Sequence, residues 1–357
     1  MFRIKVDLPL LFGLLLLCMA SLVILYSAGG ENPKLIINQS LRMLVAFVVM
    51  IAFAQLRPDS WFRWSPYIFS AGLILLVLVL VIGYTGKGAT RWLDLGVIRF
   101  QPSEIMKLAV PMMLACVFTK GSLPPSRKNI VTAAAVLLVP AALILKQPDL
   151  GTTLMIMMSG IIIIFLAGFA WRSIGILALC AGFAAPFLWQ FLHPYQQSRI
   201  LTLFDPWSDP LGAGYHSIQS MIAIGSGGAQ GKGWLNGSQS QLEFIPERHT
   251  DFIFSVFSEE FGFIGVIMLL ALYVFIAARG LYIAYYTKDT YSRLLAGSLS
   301  MTFFFYVFVN IGMVSGMLPV VGVPLPLISY GGTSMVTLLA GFGILMGIHN
   351  HRSLMSR

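Results

Sequence analysis

Long apolar runs separated by short polar connections dominate the chain. A helix needs about 20 apolar residues to cross a bilayer, and ten runs approach that length. The pattern therefore predicts an all-α, polytopic membrane protein with about ten transmembrane helices, forming one domain over residues 1–357. The runs are 8–27, 41–54, 65–84, 102–119, 130–145, 150–168, 173–192, 252–279, 294–315 and 327–348.

Three of these runs have unusual lengths. Runs 41–54 and 130–145 are short, which predicts uneven helix tilt. The apolar stretch from Asp251 to about Tyr286 is long, because a single helix would reach about 50 Å at ~1.5 Å per residue. That helix is expected to project from the bilayer or to bend.

Composition and charge agree with this class. Hydrophobic residues make up 57% of the chain and charged residues only 10%, whereas soluble domains contain about 25% charged residues. With both termini in the cytoplasm, the inner segments contain most of the basic residues and only three acidic ones, as the positive-inside rule requires. The net charge of +9 thus sets membrane orientation, and nucleic acid is not expected as a partner.

Two polar segments are longer than the other connections. Segment 83–101 lies outside in this topology, as does segment 193–250, the large extracytoplasmic loop between predicted helices 7 and 8. Long loops without structure of their own are uncommon unless they are functional. Chemistry is therefore expected on the outer face.

Charged residues concentrate where segment 193–250 meets the eighth helix. Ionisable groups are costly at a membrane boundary and mark a site by default, so Asp251 is the first candidate, with His249 beside it. The local pattern also fits Thr250 as an N-cap and Asp251 as the first helical residue, and this structural alternative stays open. Glu259, about two turns further, is expected to face a cavity or a partner side chain.

Further carboxylates occur at the outer ends of other predicted helices. Glu104 and Lys107 lie three residues apart at the start of the fourth run, and Asp149 precedes the sixth. An interfacial ion pair and a helix cap are the structural alternatives for them. One cavity could gather Glu104, Asp149 and Asp251, and carboxylates that share a pocket acquire different pKa values, which suits acid–base chemistry.

Glycine-rich and cationic stretches fit phosphate binding. Lys87, Arg91 and Trp92 occur together in segment 83–101, and residues 226–234 form a similar stretch. Neither has the spacing of a P-loop, although such loops suit phosphate; for 226–234 a flexible loop with an interfacial tryptophan is the alternative. The Pro- and Gly-broken stretch 318–334, which includes Ser329, is typical of backbone that lines a cavity.

Six motifs together resemble the SEDS family of shape, elongation, division and sporulation proteins. The resemblance extends in order over essentially the whole chain, and the forms around residues 247–251 and 321–332 favour its elongation branch over its division branch. The motifs are RW (91–92), QPSEIMK (101–107), QPDLGTT (147–153), GYHSIQSMIAIGSGGAQGKG (214–233), ERHTDFIFSVFSEEFGFIG (247–265) and LPVVGVPLPLISYGGTS (318–334).

The resemblance implies a peptidoglycan glycosyltransferase that polymerises lipid II during cell elongation, at the periplasmic face of the bacterial inner membrane. It also implies a class B penicillin-binding protein as partner, a growing undecaprenyl-pyrophosphate-linked glycan as substrate, and other membrane proteins of the elongation complex as neighbours. By the same resemblance, Asp251 stands at the family's essential aspartate position. Glu104, Lys107 and Asp149 match its cavity residues, and Trp92 falls in its sensitive outer loop.

A mechanism follows as a hypothesis. Asp251 would act as general base on the acceptor sugar's 4-hydroxyl, while Lys107, Arg91 and Lys87 neutralise the leaving pyrophosphate, alone or with a divalent cation such as Mg²⁺ or Mn²⁺. His249 and Ser329 are expected to contact the substrate. Two alternatives remain: a lipid II flippase or transporter, and a non-catalytic scaffold of the elongation complex.

Overall fold

The computed structural model describes residues 6–86, 89–94, 99–121, 123–169, 194–212 and 214–355, together with scattered positions between 170 and 193. Most of these residues are helical. The first half contains α1 (Leu8–Ala28), α2 (Pro33–Gln55), α3 (Pro58–Ile82), α4 (Pro102–Thr119), α5 (Arg127–Lys146) and α6 (Leu150–Leu166). The second half contains α7 (Pro194–Phe204), α8 (Tyr215–Gly227), α9 (Ser238–Gln241), α10 (Ile253–Tyr285), α11 (Thr290–Val314) and α12 (Thr333–Met355).

The apolar helices form a multi-pass membrane protein, as predicted. In the described part of the chain, eight helices are long and apolar enough to cross a membrane, and α6 is a shorter apolar helix. Together they match nine of the ten predicted runs. The seventh run, 173–192, lies outside the described residues, so the total of ten stays a prediction.

The two helices that were expected to be short begin earlier than the apolar pattern predicts. α2 starts at Pro33, where the Asn32 side chain accepts a hydrogen bond from the Lys34 amide at 3.0 Å. Run 41–54 missed the first turns of α2 because they contain polar residues; one of these, Gln39, is buried against protein. α5 likewise starts at Arg127. The expectation that both helices are short is therefore wrong.

Both long polar segments contain secondary structure. In segment 83–101, strands β1 (Tyr84–Gly86), β2 (Ala89–Asp94) and β3 (Arg99–Phe100) form an antiparallel sheet in that order. Segment 193–250 contains the helices α7, α8 and α9. The all-α class is confirmed for the membrane domain, and the small sheet is an addition to it.

The long helix α10 bends at Gly262, as its length predicted. Gly262 has φ 63° and ψ −166°, a conformation that essentially only glycine adopts. The stretch 226–234 replaces the helical hydrogen bonds lost at the break. The amides of Lys232 and Gly233 donate to the carbonyls of Glu259 and Glu260 at 3.0 Å each, and the Phe263 amide donates to the Gly228 carbonyl at 2.9 Å. This stretch is thus part of the fold.

The interior of the bundle is built around α4 and α11. Each has 67% of its most apolar stretch buried, against 22% for α2. Polar residues on α4 and α11 therefore face protein, because the lipid-facing surface of these helices is small.

Candidate active site

Asp251 lies just before α10 rather than inside it. Phe252 is the residue at the N-cap position, with no side-chain capping bond. The Thr250 hydroxyl donates instead to the carbonyl and carboxylate of Glu247, at 3.1 and 3.0 Å. The structural alternative that made Thr250 the cap and Asp251 the first helical residue is therefore wrong.

The non-helical segment 318–332 packs against this corner. The Tyr330 amide donates to the His249 carbonyl at 2.9 Å. The Ser329 hydroxyl donates to the Thr250 carbonyl at 2.6 Å and accepts from the Leu325 amide at 2.8 Å. His249 and Ser329 thus position the backbone next to Asp251, and the predicted contacts of these two residues with substrate stay predictions.

Segment 318–332 also links Asp251 to the start of α6. Gly322, with φ 73°, lies beside the Asp251 carboxylate, so that a Cβ added to it would be 3.4 Å from Oδ2. Gly151, two residues after Asp149, packs against the same segment, and a Cβ there would be 2.8 Å from the Val321 carbonyl oxygen. One short stretch of backbone therefore separates the two aspartates.

Asp149 caps α6 and is held on several sides. Its carboxylate accepts hydrogen bonds from the Thr152 amide at 3.1 Å and the Gln101 side chain at 2.9 Å, and Arg91 lies 4.0 Å away. Arg91 itself donates to the Gln147 carbonyl at 3.2 Å and to the Pro148 carbonyl. The helix cap that was the structural alternative for Asp149 is therefore present, and the Arg91 side chain is bound by protein groups.

Glu104 and Lys107 form a buried ion pair in α4. The Lys107 Nζ lies 2.7 Å from Glu104 Oε1, and the two side chains are only 11% and 6% exposed. The Tyr306 ring of α11 packs beside them, with its centroid 5.3 Å from Nζ. Gln101, at the N-cap position of α4, donates to the Asp149 carboxylate at 2.9 Å and accepts from the Glu104 amide at 3.0 Å, so the pair and Asp149 belong to one polar cluster.

Tyr306 and Asn310 are functional candidates that the sequence reasoning missed. They lie four residues apart, on one face of α11. The Asn310 amide donates to the Asp251 carbonyl at 2.9 Å and to the Val323 carbonyl at 2.7 Å. Two polar residues at helical spacing inside an apolar run were the available signal.

A large groove opens beside this cluster. It has a volume of about 1200 Å³ and is mostly apolar. Trp92 lies at one wall, on β2, and Tyr330 at another; Lys87 lies outside the described residues. Helices α2, α3, α4 and α12 supply most of the remaining lining, including Val45, Phe53, Ile68, Ile105 and Ile344.

Glu259 pairs with a side chain of the same protein, which is one of the two environments expected from its position. It is fully buried and lies 2.7 Å from the Lys232 Nζ. It also accepts from the Gln239 and Ser240 amides at 3.0 and 3.3 Å, at the start of α9. Lys232 is therefore engaged in the fold rather than presented to a phosphate.

Histidines and metal ligands add little at this corner. Burial lowers the pKa of His216, which stacks on Phe252 with ring centroids 5.6 Å apart, and so favours the neutral form of its ring. Among the described residues there is no group of three or more His, Cys, Asp or Glu side chains that could hold a metal ion. Mg²⁺ is commonly bound by one or two carboxylates together with substrate phosphates, which requires fewer protein ligands than that.

Comparisons with known proteins match the whole chain. The family model for FtsW, RodA and SpoVE, described as cell cycle protein, matches residues 1–354. The peptidoglycan glycosyltransferase MrdB of Escherichia coli K12 is 50% identical over 356 residues, which cover 99% of this chain and 96% of MrdB. A probable peptidoglycan glycosyltransferase FtsW of Escherichia coli O6:H1 is 38% identical over 312 residues, 86% of this chain and 75% of that protein.

Two solved structures have the same architecture. A chain from a study of how a peptidoglycan synthase complex coordinates polymerization and crosslinking superposes with a TM-score of 0.85 at 35% identity, covering 98% of this chain and 99% of that one. The rod shape determining protein RodA of Thermus thermophilus superposes with a TM-score of 0.73 at 30% identity, covering 97% of both chains. The higher identity to MrdB than to FtsW agrees with the elongation-branch motifs.

Proposed function

This chain belongs to the SEDS family of cell cycle proteins, which includes FtsW, RodA and SpoVE, and we propose that Asp251 and the polar residues around it are its catalytic site. The chain is a peptidoglycan glycosyltransferase of the cell-elongation type, the activity for which its relative at 50% identity is named. Its substrate in this proposal is lipid II. The active site faces the periplasm from the bacterial inner membrane.

The observation that carries the site assignment is the meeting of three polar groups around segment 321–323. Asp251 lies on one side of the segment, the start of α6 with Asp149 on the other, and Asn310 binds the carbonyls of Asp251 and Val323. Tyr306, one turn from Asn310, connects this point to the Glu104–Lys107 pair. Carboxylates that lie near one another suit proton transfer to and from a sugar hydroxyl.

The chemistry assigned to Asp251 is proton removal. The oxygen of the acceptor's 4-hydroxyl bonds to C1 of the donor sugar while the bond from C1 to the diphosphate oxygen breaks. The diphosphate leaves with the electron pair, and the hydroxyl proton passes to the Asp251 carboxylate. General base catalysis of this kind contributes a factor of about 10²–10⁴.

The groove suits the lipid part of the substrate. Its wall along α2 runs from Arg42 to Phe53, which is about 16 Å at ~1.5 Å per residue, and most of its lining is apolar. A polyprenyl chain in this groove would keep its diphosphate close to Tyr330 and therefore to the Asp251 corner. A class B penicillin-binding protein is the proposed partner, since the matched synthase complex combines polymerization with crosslinking.

The assignment is tested by strand synthesis from lipid II with the purified protein and its partner. Asp251→Asn and Asp251→Ala are expected to lower the rate by about 100-fold or more while still co-purifying with the partner. Asp59→Asn, at an exposed carboxylate paired with Arg57, is the control and should retain normal activity. Normal rates in both Asp251 variants would remove this residue from the mechanism.

The same preparation distinguishes the glycosyltransferase from the two alternatives, a flippase and a non-catalytic scaffold. A flippase would move lipid II across liposomes without producing glycan strands. A scaffold would lose partner binding in the Asp251 variants while the partner's own turnover persists. Addition of EDTA, followed by Mg²⁺ or Mn²⁺, decides whether a divalent cation takes part.

A further inference from the structure

Arg42 stands out among the cations of the membrane helices. It is one of the few charged residues of α2 and lines the apolar groove near its Asp251 end. Its guanidinium carbon lies 4.5 Å from the centroid of the Tyr330 ring. A cation within a membrane-spanning helix is costly and marks a function by default.

The other cations near the site are already bound by protein groups. Lys107 pairs with Glu104 at 2.7 Å, and Arg91 donates to two backbone carbonyls next to Asp149. Within the described residues, the Arg42 guanidinium packs on the Tyr330 ring, and no carboxylate there lies within ion-pair distance of it. A ring contact uses none of the five N–H donors of a guanidinium. Arg42 therefore has donors to offer a ligand.

The position of Arg42 is fixed by its neighbours. One turn earlier on α2, the Gln39 side chain donates to the Ser329 carbonyl at 3.3 Å and accepts from the Gly331 amide at 3.4 Å. A Cβ added to Gly332 would be 3.4 Å from Nε and Cδ of Arg42. The 329–332 turn is thus pinned to α2, and the guanidinium is held where this turn meets the groove.

We propose that Arg42 binds the diphosphate of a polyprenyl diphosphate whose chain occupies the groove. The inference rests on the proposed function, and it moves the phosphate-binding role from Lys107 and Arg91 to Arg42. Arginine suits the task because its planar fork binds two phosphate oxygens at once. Tyr330 lies next to the Asp251 corner, because its amide donates to the His249 carbonyl. The sugar end of a lipid bound at Arg42 would therefore lie toward Asp251.

The test compares lipid binding by wild type, Arg42→Gln and Arg42→Lys, followed by native mass spectrometry. The probes are undecaprenyl diphosphate, undecaprenyl monophosphate and phosphatidylglycerol. Arg42→Gln should bind the diphosphate about tenfold to a hundredfold more weakly, with a smaller loss for the monophosphate, which carries less charge, and little change for phosphatidylglycerol. Arg42→Lys should be intermediate because it keeps the charge but loses the fork. Arg57→Gln, at an exposed arginine paired with Asp59, should bind as wild type does.

Two results would overturn the proposal. One is an unchanged affinity of Arg42→Gln for the diphosphate. The other is an equal loss of affinity for all three lipids, which would indicate a distorted groove rather than lost diphosphate recognition. Strand synthesis separates failure of this proposal from failure of the proposed function. A wild-type protein without activity contradicts the function. If the wild type is active and Arg42→Gln has the same KM and diphosphate affinity, only the role of Arg42 is contradicted.

Discussion

The side-chain amide of Asn310 donates a hydrogen bond to the backbone carbonyl of Asp251 at 2.9 Å, and the same nitrogen donates to the Val323 carbonyl at 2.7 Å. Asn310 is fully buried. A single side chain in the interior of the bundle therefore holds both the backbone that presents the proposed base and the segment that packs against its carboxylate.

Replacement of Asn310 should impair turnover more than substrate binding. In Asn310→Leu both carbonyls lose their donor and Asp251 shifts, and small misplacements of catalytic groups are costly. We expect kcat for strand synthesis to fall by about tenfold to a hundredfold, with a smaller change in KM. Ser315→Ala is the control, because the Ser315 hydroxyl binds carbonyls of its own helix at 2.7 and 3.3 Å. Equal kcat in both variants would contradict the role of Asn310.

The Glu104–Lys107 pair should behave as a structural unit. Loss of one partner leaves a buried charge alone, which costs about 3–5 kcal/mol of unfolding free energy. We therefore expect Lys107→Met to lower thermal stability in detergent, and the double variant Glu104→Gln with Lys107→Met to recover most of it. A double variant no more stable than Lys107→Met would contradict this pairing. Binding of undecaprenyl diphosphate by the double variant should stay near that of wild type.

Gly262 should tolerate no side chain. Its φ of 63° with ψ −166° costs other residues about 1–3 kcal/mol, and a Cβ would collide with the Gly231 nitrogen. Gly262→Ala is expected to lower the yield of folded protein in membranes and its thermal stability. Gly225→Ala, at a helical position with open space around the added Cβ, is the matched control. Equal stability of the two variants would show that the break does not need glycine.

The end of the bundle away from Asp251 offers a pH-dependent contact. Burial alone would raise the pKa of Asp7, but hydrogen bonds from Arg279 and the Leu10 amide, together with the Arg279 charge, outweigh it and lower the pKa. A depressed folded-state pKa gives stability that is fully present above the unfolded value of about 3.9 and is lost as the pH falls through the folded value.

Asp7→Asn should therefore be less stable than wild type at pH 7, by about 1–2 kcal/mol. The difference should persist to pH 5 and shrink below about pH 4. Thermal unfolding in detergent across this range measures it. A difference that widens as the pH falls below 4 would contradict the paired carboxylate.

Much of the membrane architecture could be predicted from apolar run lengths, because lipid demands long apolar helices. The errors share a cause. The first turns of α2 were missed because Gln39 is polar yet buried in protein contacts with segment 329–331, and a run-length rule treats every polar residue as exposed. The sheet of segment 83–101 was missed because its strands are only two to six residues long.

The acidic residues of the candidate site could be predicted from the sequence, whereas the residues that contact them could be predicted less well. Asp251, Glu104 and Asp149 are conspicuous because charge is rare in this chain. The Glu104–Lys107 pair has a local spacing of three residues and was available as the structural alternative. Whether Arg91 meets a substrate or a protein group depends instead on residues far away in sequence, Gln147 and Pro148, and no local pattern reveals that contact. The predicted helix over 173–192 stays a prediction.

The break at Gly262 has a consequence for the behaviour of the protein in different membranes. Below the break, α10 is a rod in contact with lipid, and rods tilt when bilayer thickness changes. Above it, the carbonyls of Glu259 and Glu260 accept hydrogen bonds from the stretch 226–234. The Phe263 and Ile264 amides, just below the break, donate to the Gly228 and Ala229 carbonyls of the same stretch. The stretch therefore links both parts of α10, and a tilt of the lower rod reaches the loop next to the proposed base. Rates of strand synthesis should accordingly differ between thin and thick lipid nanodiscs.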